Sequence, residues 1–254
     1  MRISKLLLAT VVATTASLTV ARAGTDLVTN GNFASTSPST TVSTQFGTSY
    51  KAGQFVTGWT GNNGYEIWFP NAKAASTENT VGQYSYTGKE EMYAVNPVPG
   101  GNTAFVGLDG DQTDGIQSSL SQTINNLVAG STYDVSFYWG AGQMQSRTGA
   151  TTEQLQVSLG TSKQYTTTLD NPSKGFTGWY KEVMQFTASS TSELLNFLSI
   201  GSPTGEPPMA VLTGVSMQQV PVPEPSSLAI LGAGLVGLGL VIRRRRNGRK
   251  SIKG

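Results

Sequence analysis

The 254-residue sequence predicts an all-β protein, a single β-sandwich or jelly roll followed by a C-terminal membrane helix. Three observations lead there. Apolar residues alternate with polar ones at period two through much of the chain, as half-buried strands require. Glycine and asparagine punctuate those stretches, and no part of residues 24–220 carries a helical period. About ten short strands separated by turns suit two stacked sheets, each burying alternate side chains against the other.

The clearest strand is Tyr133 to Trp139, with Tyr133, Val135, Phe137 and Trp139 on one face and Asp134, Ser136 and Tyr138 on the other. The same rule picks out Leu155, Val157 and Leu159; Tyr165, Thr167 and Leu169; and Val211, Thr213, Val215 and Met217. Weaker alternation marks Phe55 to Trp59, Tyr65 to Phe69, Thr103 to Leu108, Ile116 to Ile124, Trp179 to Phe186 and Leu194 to Ile200. Ser35 to Ser49, rich in Ser and Thr, and Lys73 to Thr80, small and polar, lack the apolar content of a core and are expected to be surface loops. The body, 24–219, is expected to be one domain.

Both ends read as addresses. Arg2 and Lys5 precede the mostly apolar or small stretch Leu6 to Val20, and Ala21-Arg22-Ala23 fits a small-x-small cleavage site, so residues 1–23 read as a secretory signal peptide and the mature chain as starting near Gly24. At the other end, Ser226 to Ile242 holds 17 residues without a charge. At about 1.5 Å of rise per residue such a helix covers roughly 26 Å, enough to cross the hydrocarbon of a bilayer. Arg243, Arg244, Arg245 and Arg246 follow at once and place that end in the cytoplasm. Pro221, Pro223 and Pro225 keep the preceding segment extended.

With those ends set aside, Gly24 to Val220 carries seven Lys or Arg against 14 Asp or Glu, about −7, although the whole chain is +2. Nucleic acid is disfavoured as a partner, since it needs a basic face. The chain has neither cysteine nor histidine. Disulfides, Ser-His-Asp and Cys-His catalysis, and the usual zinc and copper sites are excluded, leaving carboxylates, Lys, Tyr and hydroxyls for any chemistry.

The tail resembles a PEP-CTERM sorting signal, with Val222, Pro223, Glu224 and Pro225 as the motif (residues 220–254 overall), 226–242 as its helix and 243–254 as its basic end. That resemblance implies an exosortase as partner, transient anchoring in the inner membrane of a Gram-negative exopolysaccharide producer, and release to the surface or matrix. An ordinary one-pass anchor is the alternative. A second resemblance rests on Leu27-Val28-Thr29-Asn30-Gly31-Asn32-Phe33, Gly58-Trp59, Leu127 to Tyr133 and Pro207 to Met217, which are similar to galactose-binding-like jelly rolls, carbohydrate-binding modules among them. The chain departs from their pattern at Thr213-Gly214, where many relatives carry acidic or amide residues.

Three constellations bear on chemistry. Asp109, Asp111 and Asp114 on a glycine-bent loop supply oxygens for a structural Ca²⁺, or simply make a solvated turn. Tyr65, Trp68, Tyr84 and Tyr86 offer rings for stacking on sugars, with Asn62, Asn63 and Gln83 for hydroxyls; aromatics on strands are otherwise core. Glu90 with Glu91, or Glu66 with Asp109, would be a glycosidase pair only if they converge, which adjacent residues on an extended chain do not. The expectation is a non-enzymatic exported protein that binds extracellular polysaccharide through exposed aromatics, with no required cofactor. A purely structural matrix protein and, behind it, a glycosidase are the alternatives.

Overall fold

The computed structural model describes residues 24–47, 55–62, 64–77, 91–93, 95–113, 115–145 and 147–221. The expected signal peptide, Val222 to Pro225, the span 226–242, Arg243 to Arg246, and the site candidates Tyr84, Tyr86 and Asp114 lie outside them. Among the described residues no helix is long and apolar enough to cross a membrane. Gly24–Val220 forms a compact unit with its own core.

That unit is an all-β sandwich. Strands β1 (Thr44–Phe46), β3 (Glu66–Phe69), β4 (Phe105–Asp109), β12 (Pro208–Gln219), β6 (Thr132–Gln143) and β10 (Tyr180–Thr187) pair in the order β1-β3-β4-β12-β6-β10. The second sheet runs β2 (Thr60–Gly61), β5 (Ser119–Asn125), β11 (Ser192–Ser202), β7 (Thr151–Leu159) and β8 (Ser162–Tyr165), with β9 (Leu169–Asn171) also on β7. All these pairings are antiparallel. The inward residues of β6, Tyr133, Val135, Phe137 and Trp139, meet Leu155, Val157 and Leu159 of β7 and Leu195 and Phe197 of β11 in the main core.

A second apolar cluster covers part of the outer face of the first sheet. Ile67, Phe69, Phe105, Met209 and Val211 point there and are roofed by Ala75, Met92, Val95, Val98, Phe176 and Trp179. Phe69 and Phe105 stack at 4.8 Å, and Trp179 meets Phe105 edge-on at 5.5 Å.

Several elements differ from the sequence expectation. The Ser/Thr-rich stretch contains β1, and its Phe46 is fully buried against Phe55. The Lys73 region contains helix α1 (Ala72–Thr77), capped by Asn71, whose Oδ1 accepts the Ala74 N–H at 2.8 Å. Phe55, Val56 and Trp59 are buried, but the stretch is not a strand; only Val56 forms a bridge, to Thr36. Tyr165 and Leu169 fall on two strands, because Thr166 leaves the ladder and its Oγ1 accepts the Leu155 N–H.

The closing strand departs most. Val211, Thr213, Val215 and Met217 do not share a face: the register against β6 slips from Thr213 opposite Tyr138 to Ser216 opposite Ser136. The extra residue makes a β-bulge at Gly214, whose φ of 61° is left-handed. Val211 consequently faces the outer cluster, whereas Val215 and Met217 face the main core.

Trp68 is a correction. It is 3 % exposed, packs edge-on against Phe55 at 6.0 Å and donates its indole N–H to the Phe33 carbonyl at 2.7 Å, so its ring is not available to a sugar. Alternation dictates this: Trp68 lies two residues from Glu66 on the inward face of β3. Trp68→Ala therefore destabilises the fold by about 3–5 kcal/mol, the usual cost of deleting a buried large aromatic. Urea unfolding checks this, and a change below about 1 kcal/mol would contradict the core assignment.

Candidate functional site

The bulge in β12 coincides with a handover between its neighbours. Up to Leu212 the strand pairs with β4. Beyond the bulge the N-terminal segment takes that place: the Val215 N–H donates to the Gly31 carbonyl, the Leu27 N–H to the Met217 carbonyl, and the Met217 N–H to Asp26 Oδ1, each at 2.9 Å. A side chain at Gly31 would collide with the Val215 carbonyl, which explains a glycine at this crossing.

The segment is held from behind by polar side chains of the core. Trp59 Nε1 donates to the carbonyls of Thr29 and Asn30, both at 3.1 Å. Gln122 accepts the Thr29 N–H at 2.8 Å and donates to the carbonyls of Thr29 and Gly58. Phe33, at a φ of 55°, is fully buried beside Trp59. The motif from Leu27 to Phe33 is thus the strap that completes the first sheet.

Where the first residues of β4 give way to the strap along β12, an open groove of about 480 Å³ remains. Tyr138 of β6 lies in it, with Asn102 on one side, Asp26, Asn30 and Asn32 on another, and Ser216 beyond the bulge. Gly100 and Gly214 make the room. A Cβ at either would lie 3.1 Å from the Tyr138 ring, and one at Gly214 would lie 2.7 Å from Asn102 Nδ2. Asn102 is fixed by its Nδ2 donating to the Pro99 carbonyl at 3.0 Å. Lys181 Nζ stands 5.9 Å from the Tyr138 ring centroid. Chemically this is a half-buried ring surrounded by amides, a hydroxyl, a carboxylate and an ammonium.

The expected site residues are not brought together here. Tyr65 is half-buried and packs on the second apolar cluster. Asp109 and Asp111 are bound into their own loop. Asp109 Oδ1 accepts the Asp111 N–H at 2.8 Å; Asp111 Oδ1 accepts from the N–H and hydroxyl of Thr113, and its Oδ2 from the Gly205 N–H. Burial works against ionisation of Asp111, but the donors of Gly205 and Thr113 outweigh it and hold its carboxyl below the usual range. Among the described residues no three acidic side chains converge as a metal cluster would require. Glu66 lies opposite Leu108 and Asp109 opposite Met209, so the two carboxylates sit on opposite faces of the first sheet.

Three carboxyls are buried enough to titrate at or just above neutral pH. Desolvation raises Glu66 to about 8, Asp109 to about 7 and Glu153 to about 8. Neither Glu66 oxygen has a hydrogen-bond partner, and the backbone amides of Asn62, Ser119 and Gly64 near it offset only part of the burial. The body is accordingly less negative than its −7 count. Tyr138, which sequence reasoning placed on the outward face of its strand but did not single out, was signalled by being the aromatic in an otherwise polar row with Asp134 and Ser136.

The PEP-CTERM protein-sorting motif matches residues 221–246. No curated protein matches the sequence. Among solved structures, the chain is similar to the xylan-binding CBM22-1 domain of Xyn10C from Paenibacillus barcinonensis (12 % identity over 80 % of this chain and 100 % of that one, TM-score 0.37). It is also similar to a family 61 carbohydrate-binding module in complex with β-1,4-galactotriose (17 %, 46 % and 72 %, TM-score 0.31). A third is an arabinose-bound family 51 α-L-arabinofuranosidase (11 %, 78 % and 27 %, TM-score 0.40).

The raised carboxyls set the pH dependence of stability. Each binds its proton more tightly folded than unfolded, so its contribution is complete below about pH 4 and is lost as pH rises through 7 to 8. Thermal melting of the 24–220 body in chelator should fall from pH 5 to pH 8, by about 1.4 kcal/mol per pH unit for each group that deprotonates on unfolding, and Glu66→Gln should flatten the slope. A melting temperature that rises over this range would refute the assignment.

Proposed function

We propose that the protein is exported, anchored through its C-terminal span, processed by an exosortase at Val222 to Pro225, and displayed at the cell surface or in the extracellular matrix, where it binds polysaccharide without catalysis. The body is a galactose-binding-like jelly roll. The match of the sorting motif to residues 221–246 supports the first half of this reading.

The observation that carries the second half is the groove beside Tyr138. A sugar ring offers an apolar face and a rim of hydroxyls; the groove offers an aromatic ring next to Asn102, Asn32, Asp26 and Ser216. The strap and the two glycines hold these groups in place before any ligand arrives, which lowers the ordering cost of binding. The opposed faces of Glu66 and Asp109 support a non-catalytic role, since a glycosidase needs both carboxylates on one sugar. A structural matrix role without a small ligand is the second reading, favoured by the burial of Trp68 and by the chain's own roof over the second apolar cluster.

The test is binding of the 24–220 body to a glycan array and to the host's exopolysaccharide. Saturable binding that Tyr138→Ala weakens about tenfold, a loss of about 1.4 kcal/mol, is the expected result, with the melting temperature held within a few degrees. Absence of binding to either panel would leave the structural role, and release of reducing sugar would establish a glycosidase instead.

A further inference from the structure

Thr151 at the start of β7 and Asn171 at the end of β9 are partners across an antiparallel ladder. Directly opposed residues share a face of the sheet, with Cβ atoms about 4.5–5.5 Å apart. Here it is the inward face, because Thr151 and Glu153 continue the row of Leu155 and Val157. Thr151, Glu153 and Asn171 are all at most 2 % exposed. Thr151 Oγ1 donates to Glu153 Oε1 at 2.6 Å. Glu153 Oε2 and both amide atoms of Asn171 have no hydrogen-bond partner. The amide is fitted closely to the loop after β9: a Cβ at Gly175 would lie 2.7 Å from Asn171 Oδ1.

A buried amide that meets no partner is destabilising. This one stands across the ladder from a hydroxyl whose proton is already directed at a carboxyl. A hydroxyl, a base and an acyl carbon are the parts of an acyl transfer, and strand register brings them together before any reaction. Threonine is a weak nucleophile until a base takes its proton. Burial raises Glu153 to about 8 despite the hydrogen bond from Thr151, so its carboxylate is a stronger base than an exposed one. The same burial keeps bulk water from competing for the amide carbon.

We propose that Thr151 and Asn171 react to form an intramolecular side-chain ester that staples β7 to β9. Thr151 Oγ1 bonds to Asn171 Cγ, and the Cγ–Nδ2 bond breaks. Glu153 accepts the hydroxyl proton and passes it to the departing nitrogen, which leaves as ammonia. Glu153 ends as it began, and no oxidant, cofactor or second substrate is consumed. In a chain without cysteine this bond closes β7, β8 and β9 into a covalent ring at the margin of the second sheet, as a disulfide would. It lies apart from the Tyr138 groove and stands or falls independently of polysaccharide binding.

Intact-mass spectrometry of the denatured 24–220 body in acid tests it. The wild type should weigh one ammonia less than its sequence. Trypsin cuts after Lys163 and Lys174, so peptides 148–163 and 164–174 should appear as one linked species that mild alkali separates. Thr151→Val keeps the shape without the hydroxyl and should restore the full mass, whereas Thr151→Ser should keep the loss. Glu153→Gln should leave most of the chain unlinked. A wild type of full sequence mass would overturn the bond. An ammonia loss that survives Thr151→Val would overturn it equally, by placing the loss in a succinimide such as one at Asn30-Gly31. A loss undiminished in Glu153→Gln would overturn the role of Glu153 as base.

Discussion

The extra residue at Gly214 sets most of what is distinctive about this sandwich. β12 runs through the middle of the first sheet, between β4 and β6, so a bulge there is felt on both sides. It reverses which side chains face the core, sending Val211 outward and Val215 and Met217 inward. It also marks where β4 stops pairing and the N-terminal strap begins. The groove is the space left at that junction. A left-handed φ at this position favours glycine, and the missing Cβ is what leaves room for the Tyr138 ring and the Asn102 amide.

The strap depends in turn on two indoles, one of which, Trp68, looks in the sequence like a ligand-binding aromatic. Trp59 and Trp68 both spend their N–H on backbone carbonyls between Thr29 and Phe33, and Gln122 adds a bidentate grip on Thr29. Buried indoles ordinarily need such a partner, and an irregular strap has carbonyls to offer. The large aromatics of the body thus act one layer beneath the groove. The ring in the groove is Tyr138, on a strand whose outward row is otherwise polar.

Sequence alone made the core strands legible because β6 and β7 alternate strictly, and strict alternation leaves one choice of inward face. It missed β1 because Thr44-Gln45-Phe46 is short and set in Ser and Thr, and its burial comes from pairing with β3 rather than from its own pattern. It put Val211 and Val215 on one face because a bulge is invisible to period counting; Gly214 and the departure at Thr213-Gly214 were the only traces. The Asp109 loop was read for its carboxylates, whereas the structure spends them on turn amides.

The central claim is that the junction at the β12 bulge is the recognition surface, and it can be mapped directly. Backbone amide shifts of the isotope-labelled 24–220 body, titrated with oligosaccharides from the host's exopolysaccharide, should move at residues 26–32, 100–102, 138 and 214–216 and stay fixed over the second apolar cluster. Shifts confined to residues 65–93, or none at all with a ligand that binds by other measures, would contradict it.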